Sequence, residues 1–484
     1  MLAPPLGPRN LIRLPGCFGS PNLAGAMGTS AATKRLRSTS STAPRLVYAD
    51  AKGRIFDHPH LHMLVDPGGG PEPVASRPLV SVPRGSDLFV LPGRRPVGLD
   101  PTTGRIEVLD GPHVAVSTFL APAWLRLAHP AYERAAPGAP ILPLYAYSAM
   151  GFQNGQFVTT AMRVDPEPRQ DPWRFDRKKI ERNVHEERAT WPENRLLQQI
   201  EKCALTYGCR AAQNYFLRRF EAPLPLSEGC NAACLGCISL QPAGSCQAAH
   251  ERIVKAPDAE EIADVALRHI ARVDRAVVSF GQGCEGEPLL RGDVIEETIR
   301  RIRAQTARGT VHLNSNASLP GTVDRLMDAG LGSIRISLNS ADPETYARYY
   351  RPRNYAFDDV RASGMAVKRK GGFVSLNLLV FPGVNDREPE IAALEAFIAD
   401  VGVDLIQMRN LNVDPESYTR ALGEGRHGRG VGLDTVMARL RARFPKLRYG
   451  YFNPPKETFG DAPGPVDAST DPSLGTWPWP GMGA

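Results

Sequence analysis

From position 220 onward, apolar and β-branched runs alternate with longer stretches whose apolar residues recur every three or four positions. Short apolar runs of this kind read as strands and the 3.6-residue period reads as helix. The pattern therefore predicts strands at 220–226, 276–280, 310–314, 333–338, 373–381 and 404–409. Between them it predicts helices at 258–273, 293–308, 321–329, 342–350 continuing through 357–370, and 388–401. Such strand–helix alternation implies a parallel sheet covered by helices. We expect it to curl into a partial barrel that carries its ligands at the carboxyl ends of the strands. A helix at 433–444 and a strand at 447–452 would complete it.

The remainder of the chain reads differently. Over 45–165, short alternating runs at 46–48, 88–91, 106–109 and 113–119 are separated by Pro- and Gly-rich turns, which predicts a small all-β domain. Residues 166–190, charged and containing Pro and Trp, read as a linker into a helix at 192–219. The expected organisation is a disordered or leader segment (1–44), the β-domain (45–165), linker and helix (166–219), an α/β barrel (220–453) and an extended Pro/Gly-rich tail (454–484).

Charge and cysteine usage narrow the function classes. A net charge of +7, much of its excess at the two ends of the chain, is weak evidence for an anionic partner, and nucleic acid is not indicated. The longest apolar stretch, near 373–384, is too short to span a membrane. Residues 1–49 hold six basic and no acidic residues. They read as a bacterial tail, or as a leader preceding a start at Met27; a transit peptide is the alternative. The expected location is the cytoplasm, or an organelle matrix if that segment is a transit peptide. Eight cysteines, three of them clustered, argue for reduced thiols and metal and against a disulfide framework.

The clustered cysteines are Cys230, Cys234 and Cys237, a C-x3-C-x2-C triplet directly after the first predicted barrel strand. Three thiolates can hold a four-iron cluster by three corners and leave one iron open to a ligand. A zinc knuckle completed by Cys246 is the alternative. The triplet resembles the signature of the radical S-adenosylmethionine (radical SAM) superfamily, in which SAM occupies the fourth iron of a 4Fe-4S cluster. Gly236 stands where that family usually has an aromatic residue.

The other strand ends extend the resemblance. Gly286, Glu287 and Pro288 are similar to the end of the family's Gly-Gly-Glu-Pro element, with Glu285 in place of its first glycine. Ser315 and Asn316 follow the third strand, and Ser337 and Asn339 lie at the end of the fourth. Gly383 and Asn385 follow the fifth, resembling the turn that packs beside adenine. The resemblance implies an α/β fold with a partial (β/α)6 barrel of radical SAM type. It also implies these residues as cofactor contacts, and an enzyme that cleaves SAM reductively to a 5′-deoxyadenosyl radical able to abstract hydrogen from a substrate. A low-potential electron donor such as flavodoxin or ferredoxin would be required. A non-catalytic iron–sulfur or zinc protein on the same barrel is the alternative. The substrate, a peptide or another macromolecule among the options, is not identified by any motif.

Cys203, Cys209, Cys246 and Cys284 are candidates for a second iron–sulfur cluster, with Cys284 alternatively a catalytic thiol and the others packing residues. His58, His60 and His62 alternate as strand ligands can, but Pro59 between them favours an edge or loop.

Overall fold

In the computed structural model, residues 43–74, 77–168, 171–242 and 248–462 are described. The expected leader falls almost wholly outside these, as do residues 463–484 of the expected tail and Cys246.

Seven parallel strands form one sheet in sequence order: Glu221–Pro223, Val277–Phe280, Thr310–Ser315, Ser333–Leu338, Phe373–Val380, Leu405–Asn410 and Arg448–Gly450. We refer to them as barrel strands one to seven. The crossovers are α4 (Ala259–Arg272), α5 (Gly292–Gln305), α6 (Pro320–Ala329), α7 (Pro343–Tyr350) with α8 (Phe357–Arg369), and α9 (Glu388–Val401); before them come α1 (Arg177–Thr190), α2 (Arg195–Leu205) and α3 (Arg210–Phe216). After the sixth strand follow α10 (Pro415–Leu422) and α11 (Leu433–Arg443). The apolar faces of sheet and helices merge into one large core. The sheet curls into a half-barrel. Its two edges approach closely enough for Asn453, just past strand seven, to donate to Glu221 of strand one at 2.8 Å. Beneath the barrel, Lys456 N–H donates to Thr310 Oγ1 at 2.7 Å and Phe459 stacks on Phe373, so residues 456–459 cover part of its amino-terminal end.

Three expectations change. The helix predicted at 192–219 is two helices, broken at Gly208, whose φ of +63° favours glycine. The segment read as linker contains α1, capped by the Asp176 side chain on Lys179 N–H. Its buried Ile180 and Val184, one helical turn apart, were obscured by the charges around them. The run predicted to continue from 350 to 357 is interrupted at Arg351, where φ is +48°.

Residues 45–163 form the all-β region, with a 12-stranded sheet and a two-stranded ribbon. It sits on the carboxyl end of the barrel. Arg126, wholly buried, donates to the Leu411 carbonyl and to Asn412, and Asn410 Nδ2 donates back to the Trp124 carbonyl at 2.9 Å. Arg94 pairs with Asp414 in the interior. The Gly68 and Gly383 backbones meet so closely that a Cβ on Gly383 would stand 2.5 Å from the Gly68 Cα. The β-region thus closes the barrel mouth over strands five and six. His58, His60 and His62 share the long strand Ile55–Asp66 without converging: His58 Nδ1 accepts the His60 and Leu61 N–H groups, and His60 meets Asp100.

Candidate functional site

Cys230, Cys234 and Cys237 lie half-buried on the loop leaving strand one. Three neighbouring elements hold this loop. The carboxyl end of α7 offers carbonyls that have no intrahelical partner. There the Tyr350 and Tyr349 carbonyls accept the N–H groups of Ala233 (2.9 Å) and Leu235 (3.1 Å). From the turn after strand three, Asn316 Nδ2 donates to Asn231 Oδ1 at 2.8 Å, and Asn231 Nδ2 donates to Ser318 Oγ at 2.9 Å. From the turn after strand two, Gly286 N–H donates to the Ser227 carbonyl (2.7 Å) and Glu287 N–H to the Gly229 carbonyl (2.8 Å). A Cβ on Gly286 would stand 1.8 Å from the Gly229 oxygen, so only glycine permits this approach. At Gly236 a Cβ would lie 2.9 Å from Tyr349 Oη: the tyrosine of α7 occupies the space beside the last cysteine.

Two buried carboxylates complete the frame. Glu285 accepts from the Leu226 and Ser227 N–H groups, each at 2.9 Å, and from Gln282 N–H at 2.6 Å. Glu287 accepts from Ser315 Oγ at 2.6 Å, Asn316 N–H at 2.9 Å and Leu289 N–H at 3.0 Å. Burial pushes each up to about 7, against the hydrogen bonds that favour the charged form. Glu285 therefore ties strand one to the second turn, and Glu287 ties the second turn to the third. Pro288 is buried at the start of the short turn Pro288–Arg291 that follows.

The donor set fits an open cluster. Burial, and then the neighbouring Cys237 and Cys230 thiols, push the Cys234 thiol well above its usual value, while burial raises Cys230. Metal binding must therefore expel protons. Among the described residues no three His, Cys, Asp or Glu groups gather tightly enough to enclose a single ion. The three thiols are near enough to raise one another, and three thiolates from one loop are the donors that hold a four-iron cube by three corners. Arg252, which the sequence did not single out, lies with Nη2 3.6 Å from Cys237 Sγ and 3.2 Å from Ser239 Oγ. Nothing in its local pattern marks it, because the contact closes across a loop.

The remaining expected cofactor contacts are placed in two groups. Glu287, Ser315 and Asn316 converge on the triplet loop, and Ser337 faces the barrel interior from strand four. Asn339 is fully buried, donating to the Thr345 carbonyl (3.2 Å) and Tyr418 Oη (3.1 Å). Asn385 donates to the Asn339 carbonyl and accepts from Phe381 N–H, both at 2.7 Å. With Gly383 against Gly68, these three brace the strand ends beneath the β-region. Of the other cysteines, Cys203 and Cys284 are buried with their thiols hydrogen-bonded to each other. Cys209 adjoins them, its N–H donating to the Cys203 carbonyl at 2.9 Å.

Residues 224–394 match the radical SAM superfamily model. A GTP 3′,8-cyclase from Microcystis aeruginosa is 35% identical over 113 residues, 22% of this chain and 34% of that protein. The enzyme of the same name from Pseudomonas putida strain W619 is 31% identical over 191 residues, 38% of this chain and 52% of that protein. The chain thus spans about half or less of the length of these relatives. Among solved structures, the FeFe-hydrogenase maturase HydG from Carboxydothermus hydrogenoformans overlaps 59% of this chain and 73% of that one at 15% identity, with a TM-score of 0.33. The half-barrel, the triplet after its first strand and the family match agree on one region: over residues 224–394 this chain is similar to the radical SAM superfamily.

Proposed function

We propose that this protein is a radical SAM enzyme whose triplet anchors a 4Fe-4S cluster and whose barrel encloses SAM and a substrate. The observation that carries this reading is the loop of three cysteines, fastened by α7 and two strand-end turns, with the β-region over the adjoining mouth. A 4Fe-4S cluster held there by Cys230, Cys234 and Cys237 would supply low-potential one-electron chemistry to SAM bound at its open iron. Glu287, through Ser315 and Asn316, keeps the second and third turns in register beside it. The β-region and residues 456–459 restrict water at the two ends, as a reactive radical requires. A reductant is needed; flavodoxin or ferredoxin is the proposed donor, and the cytoplasm the proposed location. No described helix is long and apolar enough to cross a membrane.

The names of the relatives point to GTP, but their matches cover only part of each chain. We therefore leave the substrate to the chemistry of the barrel wall. The reading is tested by reconstituting the full chain anaerobically, reducing it, and recording its electron paramagnetic resonance with and without SAM. An open iron gives a signal that SAM alters. A signal indifferent to SAM would show a closed cluster and favour the binding-protein alternative.

A further inference from the structure

Residues alternate between the two faces of a strand. Ile336 of strand four faces α8, its Cδ1 3.1 Å from where a Cβ on Gly364 would stand, so Arg335 and Ser337 face the barrel interior. In-register neighbours share a face. Ser337 therefore continues through Asn377 of strand five to Gln407 of strand six, and Leu379 pairs with Arg409. Arg335 and Arg409 thus project from the same inner wall, and Arg335 Nη1 donates to Gln407 Oε1.

A guanidinium has five N–H donors. Among the described residues, Arg335 makes this one hydrogen bond and no ion pair. Arg409 makes one, from Nη2 to the Tyr451 carbonyl at 2.8 Å, with its guanidinium carbon 4.0 Å from the centre of the Tyr451 ring. Other interior arginines are provided for: Arg94 by Asp414, and Arg126 by Asn412 and the Leu411 carbonyl. Glu221 is the carboxylate that acts on Arg335, yet its Oε1 is taken by Ser279 and Asn453. Arg335 lies so deep that burial, and then the charge of Arg409, depress it to about 9, while part of its surface stays open to solvent. A side chain that is deep and still open lines an interior space. Two like charges held there, with only the shared Glu221 carboxylate nearby to offset them, oppose folding unless a ligand neutralises them.

We infer that Arg335 and Arg409 form an oxyanion subsite for the substrate, which carries a carboxylate or phosphate group into the barrel. The inference rests on the radical SAM reading and names the substrate class for it. Planar guanidinium forks suit both anions, since each offers paired donors to paired oxygens. Arg335 lies two residues before Ser337, about 7 Å deeper along the same strand.

The test uses the full chain, anaerobically reconstituted, in thermal unfolding and calorimetry. Sodium tripolyphosphate probes the phosphate source and sodium succinate the carboxylate source, each against sodium chloride at equal ionic strength and with SAM present. One of the two should raise the unfolding midpoint by about 2–4 °C at a hundredfold excess over its Kd. Arg335→Gln and, independently, Arg409→Gln should fold with midpoints no lower than the wild type, because each removes one of two mutually repelling interior charges. Each should also weaken the anion's binding by about tenfold or more. The inference is overturned if neither anion exceeds chloride, or if either variant that folds binds as the wild type does. It is also overturned if SAM alone abolishes the effect, which would assign the pair to the cofactor's carboxylate. Binding is read without turnover, so its failure leaves SAM cleavage standing, and failed SAM cleavage leaves the anion result standing.

Discussion

Gly286 shows how narrowly single residues set this site. A methyl group there would meet the Gly229 oxygen at 1.8 Å, one residue before Cys230. Gly286→Ala should push the second turn off the cysteine loop, lowering stability by about 1–3 kcal/mol and reducing the iron retained per chain. Iron analysis and melting of the purified variant check this, and full iron with an unchanged midpoint would show that the contact is slack. Arg252 acts on charge where Gly286 acts on space. Hydrogen bonds to cluster sulfurs help set reduction potential, so Arg252→Gln should make the cluster's potential more negative with iron content unchanged. A redox titration showing no shift would separate Arg252 from the cluster. The triplet was legible because ligand chemistry resides in residue type and spacing. Glu285 was legible only as a departure from glycine, since its partners, Leu226 and Ser227, lie far back in the chain. Arg252 was not legible, its partner being reached across a loop.

At the scale of elements, the barrel strands and their crossover helices followed from periodicity, because nearly every apolar run there is buried in one core. Periodicity failed where polar residues are buried. In α1, Asn183 and Glu187 occupy inward positions: Glu187 meets Arg268 and Arg272 of α4, and Asn183 donates to the Phe216 carbonyl. A helix held by such pairs looks like a charged linker in sequence. The use of the α7 carboxyl end as a clamp was also hidden, since backbone carbonyls carry no sequence signal. His269 of α4 offers a test of a buried polar group. Its Nε2 donates to the Phe220 carbonyl at 3.1 Å, and burial depresses its pKa to about 4. The unfolded chain takes up that proton near pH 6.5. The folded state therefore has its full stability above about pH 6.5 and loses up to about 3 kcal/mol as pH falls toward 4. His269→Gln should flatten the dependence of unfolding free energy on pH between 6.5 and 4.5. An unaltered slope would mean that His269 is already protonated in the fold.

Over the whole molecule, the β-region is joined to the barrel by charges that water does not reach. The Arg94 and Asp414 side chains are 0% and 1% exposed. Asp414 also accepts Leu142 N–H and caps α10 through Ser417 N–H, each at 3.0 Å. Asp414→Asn would leave Arg94 with only its longer pairing to Glu416 at 3.8 Å, at a cost of about 2–4 kcal/mol. The expected result is a lower unfolding midpoint and faster proteolysis between the two regions; an unchanged midpoint would show that the joint bears little. The sequence indicated both regions but not their contact, which depends on residues some 300 positions apart. With the β-region over strands five and six and residues 456–459 beneath, the barrel has cover at both ends, which suits a reaction that must be kept from water. The most direct measurement is 5′-deoxyadenosine formed from SAM by the anaerobically reconstituted, dithionite-reduced full chain, compared with the Cys230→Ala, Cys234→Ala, Cys237→Ala triple variant. The wild type should form it and the triple variant should not. No product from an iron-loaded, folded wild type, or equal product from the triple variant, would contradict a SAM-cleaving cluster at these cysteines.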